Sequence, residues 1–271
     1  MSAVSVILPA HDEAGYIDAC LDAVFASDLG GVGMQVIVIA NGCTDATARL
    51  ARAHQAPGRD LHVIETKTGG KLRALGLGDA AAAHDSRIYL DADVLVAPHL
   101  IAQLAQALEG AEPRYASGTP IVAEARSPVT RAYARFWRRL PFMTEGVQGF
   151  GIYAVNAAGR ARWGEWPEII SDDTFVRLHF APAERIRVPA HYSWPMVEGW
   201  RRLVRVRRRQ DRGVAEIATR WPQLLRNDGR RRLGLGGLLG LALRDPAGFC
   251  VYGAVSLAVR FPGPGGWVRG R

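Results

Sequence analysis

Ile88-Tyr89-Leu90-Asp91-Ala92-Asp93-Val94-Leu95-Val96 is the stretch whose reading decides the fold. Its apolar lead-in is rich in β-formers and reads as a strand buried on both faces, the kind found inside a parallel sheet. The run ends in two carboxylates with one small residue between them. On an extended backbone Asp91 and Asp93 project the same way, because side chains alternate with period two. Two carboxylates side by side are costly unless a cation sits with them. Magnesium or manganese suits such a pair, since either takes a few carboxylates plus phosphate oxygens rather than a full protein cage. The competing reading is a strand-to-loop corner in which Asp93 only caps the helix near Pro98.

Outward from this centre the pattern repeats. Val4 to Leu8 is a short strand stopped by Pro9, followed by the turn Ala10-His11-Asp12-Glu13 and a helix from Gly15 to Ser27. Val36 to Ala40 is a second strand, ending in Asn41-Gly42-Cys43-Thr44-Asp45. Asn-Gly supplies a tight turn, and Thr44 or Asp45 can cap the helix that runs to His54. Leu61 to Ile64 is a third strand, and Gly69-Gly70-Lys71 opens a helix to His84. A further helix spans Leu100 to Leu108. Such a β-α repeat predicts an α/β fold with a parallel sheet, whose ligand crevice lies beyond the carboxyl ends of the strands. Asp12-Glu13, Asn41 to Asp45, Lys71 and Asp91-Asp93 all follow strands directly, so they should converge on one edge.

At 271 residues the chain can form one large domain or two smaller ones, and a hydrophobic share of 48% allows a sizeable core. Cys20, Cys43 and Cys250 are odd in number and widely spaced, which argues against a disulfide framework or a zinc site and for a reducing compartment. The first residues enter a strand with no basic n-region, so no signal peptide is expected. A net charge of +8 favours anionic partners: phosphates, nucleic acid or an acidic membrane face.

Together these residues carry a resemblance. Val6-Ile7-Leu8-Pro9-Ala10-His11-Asp12-Glu13 resembles the opening strand of family 2 glycosyltransferases, which usually reads Pro-Ala-x-Asn-Glu. Ala40 to Asp45 resembles their second strand end, Gly69-Gly70-Lys71 with Ala74-Leu75 their Lys-Gly/Ala segment, and Asp91-Ala92-Asp93 their Asp-x-Asp. Gly149-Phe150-Gly151 and Ser171-Asp172-Asp173 resemble the glycine-rich acceptor loop and the Thr/Ser-Glu-Asp motif. The similarity covers about residues 3 to 213. It implies a GT-A fold, Rossmann-like with a mostly parallel sheet flanked by helices. It also implies an inverting enzyme that uses a nucleotide-diphosphate sugar, UDP- or GDP-linked, and a divalent cation, manganese or magnesium. The implied donor contacts are Pro9, Ala10, Asp12, Glu13, Asn41, Asp45, Lys71, Asp91, Ala92 and Asp93. Asp93 is the implied metal ligand, with Asp91 through water and His191 as a third candidate. Asp173 is the implied general base and Asp172 stands where Glu is usual. Asp12 stands where Asn is commoner, which leaves the base preference open.

The residues themselves leave alternatives at these positions. Asp45 is helix cap first and nucleoside contact second. The glycines of 146–151 permit close approach of a ligand or form a bulge between strands. Asp172 and Asp173 open a helix, where carboxylates are favoured, so one of the two is expected to cap and the other to face the crevice. Processive relatives carry Gln-x-x-Arg-Trp; here Val206 and Gln210 replace the Gln and Trp while Arg209 and Gly213 remain, which points to transfer of a single sugar.

The expected organisation is a catalytic domain over 1–213, with a donor half (1–110) and an acceptor half (111–213), and a helical extension over 214–271. Arg201 to Arg232 is dense in arginine, and Leu233 to Leu243 and Pro246 to Val259 are apolar. Neither apolar segment is long enough to span a membrane. They read as in-plane anchors on an anionic membrane, which would place a cytoplasmic enzyme on the inner face, or as a helical pair packed on the domain. A nucleotidyltransferase would need the same carboxylates, but its glycine- and arginine-rich loop after the first strand is missing from Pro9 to Gly15. A nucleic-acid-binding protein is suggested by charge alone, and no nucleic-acid partner is expected.

Overall fold

The computed structural model describes residues 2–229 and 233–261. In chain order the regular elements are β1 (Ala3–Ala10), α1 (Ile17–Phe25), β2 (Gly33–Asn41), α2 (Thr47–Ala53), β3 (Asp60–Thr66), α3 (Lys71–Ala81), β4 (Ser86–Leu90), β5 (Leu95–Val96) and α4 (Leu100–Ala107). Then follow β6 (Tyr115–Val122), α5 (Pro128–Trp137), α6 (Pro141–Thr144), β7 (Ile152–Val155), α7 (Ala157–Arg160), α8 (Asp172–Leu178), β8 (Arg185–Trp194), α9 (Trp200–Arg220), α10 (Leu235–Arg244) and α11 (Pro246–Arg260).

The strands form one sheet in the order β3-β2-β1-β4-β7-β6-β8-β5. β1 pairs in parallel with β2 and β4, and β2 with β3. The apolar runs read from the sequence are therefore central strands: Val4, Val6, Leu8, Val36 and Val38 lie in the main core, packed with Ile17, Leu21 and Val24 of α1. The second half of the sheet is antiparallel, β7 running against β4 and β6, and β8 against β5.

The chain divides into two compact units. One comprises 1–121, 149–168 and 172–194 and holds the sheet; the other comprises 122–148, 169–171 and 195–271. The boundary expected at residue 213 falls inside α9, a single helix of 21 residues. Sequence order hid this grouping, because the second unit is assembled from separated segments.

Within the first unit Asp79 of α3 ties three elements together. Its Oδ1 accepts from the Tyr89 hydroxyl at 2.7 Å and lies 3.1 Å from Arg87 Nε of β4. Its Oδ2 accepts from Arg160 Nε of α7 at 3.0 Å and from the Trp166 indole at 2.8 Å. Within the second unit α11 packs on α5 and α9. Asp245 caps α11 through the Gly248 amide and takes both Arg135 Nε and Nη2 at 2.8 Å. No described helix is long and apolar enough to cross a membrane.

Candidate active site

β1 and β2 end side by side, Ala10 paired with Ala40, and side chains lock the loops beyond them. Asn41, only 3% exposed, donates from Nδ2 to the Ala10 carbonyl at 2.7 Å and accepts the Gly70 amide on Oδ1 at 2.9 Å. One buried amide thus joins the end of β1 to the loop that launches α3. Gly42, at φ +61°, has no room for a side chain, since a Cβ would lie 2.6 Å from the Gly69 amide nitrogen.

Asp12 has φ +50°, the one non-glycine described residue with positive φ. Asp tolerates this region better than most residues, and here its carboxylate supports it. Oδ1 accepts from the Thr44 amide at 2.6 Å, the Thr44 hydroxyl at 3.1 Å and the Asp45 amide at 3.3 Å. Asp45 in turn accepts from the Thr47 amide and hydroxyl at the start of α2 and from the Ala14 amide. One of its oxygens therefore holds Thr47, the first residue of α2, and the other braces the β1 turn; the N-cap position itself is Ala46. Glu13 starts the next turn, its carbonyl taking the Tyr16 and Ile17 amides.

The central pair departs from the extended geometry expected of it. β4 ends at Leu90, and the chain turns at once: the Val94 amide closes onto the Asp91 carbonyl at 3.1 Å. Asp91 and Asp93 therefore sit on a tight turn, with the small, buried Ala92 between them, rather than alternating along a strand. The Asp91 amide donates to the Gly151 carbonyl at 2.8 Å, a contact with a distant loop that local periodicity cannot register. That loop is forced by its glycines. Gly149 and Gly151 have φ +73° and +80°; a Cβ on Gly149 would fall on the Tyr115 hydroxyl, and one on Gly151 would meet Val94 and Trp194 at 2.8 Å. Phe150 between them sets its ring 5.1 Å from that of Trp194, tilted by 51°, and its carbonyl accepts from Tyr192.

Lys71, the first residue of α3, reaches into this centre. Its Nζ lies 2.9 Å from Asp91 Oδ1 and 3.1 Å from Asp172 Oδ1. Desolvation alone would lower its pKa, but the charges of Asp172 and Asp91 outweigh it and hold the ammonium above its ordinary value. Asp172 is 7% exposed and also accepts from the Tyr153 hydroxyl at 3.2 Å. Tyr153, on the four-residue strand β7 directly after the glycine loop, is absent from the sequence reading; its place two residues beyond Gly151 in a buried strand is the signal that could have found it. Asp173, half-buried, takes the Thr174 amide at 2.6 Å, so the amide at the opening of α8 goes to Asp173. Desolvation, then the charge of Asp172, raise the Asp173 carboxyl above the usual carboxylate range, against the opposing pull of Lys71.

The centre is anionic even with Lys71 in place. Burial, then Asp93, Asp91 and Glu13, push the Cys20 thiol far up. Hard carboxylate oxygens on a turn, in a negative field, are a donor set that fits manganese or magnesium with the remaining ligands from phosphate. His191 lies on β8 with its ring exposed and its carbonyl on the Ala97 amide. Among the described residues the close group of three ligand side chains is His11, Asp12 and Cys43; Asp91, Asp93 and His191 do not form one. Arg209 lies on α9 in the second unit. Pro9 and Ala10 close β1.

The family described as Glycosyl transferase family 2 matches residues 5–163. None of the curated proteins matches the chain. Among solved structures, a mannosyltransferase from Pyrobaculum calidifontis in complex with GDP-Man and Mn2+ is 19% identical, with a TM-score of 0.58 over 94% of this chain and 74% of that one. Glucosyl-3-phosphoglycerate synthase from Mycobacterium tuberculosis, in complex with Mn2+ and UDP-glucose, is 21% identical, with a TM-score of 0.56 over 81% of this chain and 79% of that one. TarS 1-349 of S. aureus in complex with UDP is 14% identical, with a TM-score of 0.55 over 90% of this chain and 70% of that one.

Proposed function

The chain belongs to glycosyl transferase family 2, and from that premise we propose that it is an inverting hexosyltransferase moving a single sugar from a nucleotide-diphosphate sugar to an acceptor hydroxyl. One observation carries the reading. Lys71 touches both Asp91 and Asp172, so the strand ends assigned to the donor and the helix assigned to the base share one charged centre. The neighbours that carry GDP-Man, UDP-glucose and UDP support a GDP- or UDP-sugar as donor. The acceptor is a glycan, a lipid or a small molecule, as in polysaccharide or glycolipid assembly. The free cysteines suit a reducing, cytoplasmic compartment.

A divalent cation, manganese or magnesium, would supply positive charge against the diphosphate as it leaves. Asp93, with Asp91, would hold it, and Lys71 adds a second positive charge beside the same oxygens. Asp173 takes the proton of the acceptor hydroxyl as that oxygen attacks the anomeric carbon and the bond to the diphosphate breaks. Its raised pKa brings it closer to a working base at neutral pH than an ordinary carboxylate. Asp172, held by Lys71 and Tyr153, orients the pair. Gly149 to Gly151 shapes the acceptor side. Val206 and Gln210, where processive relatives place Gln and Trp, support single transfer. A nucleotidyltransferase or nucleic-acid-binding role is not favoured, since neither accounts for the family match.

Thermal shift with UDP-, GDP- and dTDP-sugars, with and without manganese, tests the reading. One nucleotide class should stabilise the protein in a manganese-dependent way, and Asp93→Asn should abolish that dependence while the far-UV spectrum stays native. Stabilisation by none of them would overturn it.

A further inference from the structure

α10 is an apolar helix that buries no residue. Leu235, Leu239 and Leu243 are spaced i, i+4, i+8 and so share one face; they are 88%, 62% and 76% exposed. Gly236 and Gly240 have open space beside them, so the helix is thin on other sides too. A ten-residue helix with three interior glycines is weak by itself and needs an apolar surface to rest on. At the end of α11, Leu257 and Phe261 form a second exposed pair, 58% and 67% exposed. α11 itself is a packed helix, with Val255 fully buried.

The charge around these side chains is mostly positive. The acidic residue of 233–261 is Asp245, 5% exposed and taken by Arg135. Arg244 and Arg260 flank the apolar ends. α9 carries eight arginines against Asp211 and Glu216. Its Arg208 donates to the Ala258 and Phe261 carbonyls, which fixes the basic helix beside the exposed end of α11. Arg205 and Arg212 sit within one turn of Arg208 and are exposed.

We propose that the leucine face of α10 and the Leu257–Phe261 end of α11 dock on an anionic lipid surface, with the arginines of α9 on its phosphates. Apolar side chains enter the headgroup boundary while basic ones stay at its rim, the arrangement of interfacial helices. A second copy of this chain fits less well, because it would bring the same basic rim against itself.

The test is co-sedimentation of the full chain with vesicles of phosphatidylcholine alone and of phosphatidylcholine with phosphatidylglycerol, at low and high salt. Binding should require phosphatidylglycerol and weaken with salt. Removing Arg205 and Arg212 as glutamines should weaken it roughly fivefold for each arginine. The triple variant Leu235→Ser, Leu239→Ser, Leu243→Ser should lose binding and keep its far-UV spectrum and its nucleotide-dependent thermal shift. Three results would overturn the proposal: no binding to either vesicle at low salt, equal binding to both, or a concentration-dependent dimer that the leucine variant abolishes without any vesicle binding.

Discussion

Replacing Asp79 by alanine should unseat the helix that aims Lys71. The Asp79 side chain is 10% exposed and its guanidinium partners Arg87 and Arg160 are 17% and 18% exposed, so the cluster is dry. Alanine leaves two nearly buried cations facing each other without a counter-charge, and frees the Tyr89 hydroxyl and the Trp166 indole. Breaking a buried ion pair costs about 3–5 kcal/mol. The hydrogen bonds from Tyr89 and Trp166 to this carboxylate add only up to about 1 kcal/mol each, because losses within one network overlap. The expected destabilisation is therefore about 3–7 kcal/mol, a large part of the roughly 5–15 kcal/mol that holds a domain folded. At about 2–4 °C per kcal/mol the melting temperature should fall by roughly 6–28 °C. Asp79→Asn keeps acceptor capacity for Tyr89 or Trp166 but no charge, and should fall between. Urea unfolding followed by tryptophan fluorescence reads the loss, since Trp163 and Trp166 lie at the cluster. A loss below about 1 kcal/mol, the range of an exposed ion pair, would refute the claim that this network fastens α3.

Other outcomes follow from the site. Asp173→Asn should slow transfer by about 10²- to 10⁴-fold with donor affinity near wild type, and Asp172→Asn should cost less; single-turnover kinetics separates the two, and a reversed order would assign the base to Asp172. Because Asp173 must be ionised to work and its carboxyl lies above the ordinary range, kcat/KM should fall as pH drops through that raised value; Lys71→Met removes a charge that lowers it, so the acid limb should move to higher pH, and an unmoved limb would take Asp173 out of the role. Asn41→Ala should cost about 1–3 kcal/mol in thermal unfolding, because the Gly70 amide and the Ala10 carbonyl lose their buried partner. Gly151→Ala, at φ +80° against Val94 and Trp194, should destabilise by about 1–3 kcal/mol, read by the same melting curves.

The parallel half of the sheet was legible because strands buried on both faces leave unbroken apolar runs, as in Val36 to Ala40, and because polar clusters directly after such runs have one place to go. The convergence of Lys71 on Asp91 follows from that rule. What periodicity could not supply were contacts made at long range. The turn at Asp91 to Val94 depends on the Gly151 carbonyl, and the roles of Asp12 and Asn41 as braces depend on backbone groups of neighbouring strands. A carboxylate that braces and one that meets a nucleoside look alike in sequence. The division of the two units was equally hidden, since 122–148 joins 195–271 only in space.

Lys71 is also the centre's own counter-ion. With the diphosphate and its metal away, four aspartates would repel one another across Asp91 to Asp93 and Asp172 to Asp173, and the ammonium 2.9 and 3.1 Å from two of them relieves that repulsion. If Asp91 and Asp93 hold a cation as proposed, one that arrives with the donor would compete with Lys71 for the Asp91 oxygens. Stability of the empty protein and affinity for the loaded donor therefore pull in opposite directions at one residue. Arginine there, with a forked cation that grips carboxylates more tightly, would favour the empty form; a neutral side chain would leave the aspartates to the metal but burden the fold. On the proposed function, lysine, a compact charge on a flexible stem, would yield its carboxylates and turn to the phosphates without leaving the site.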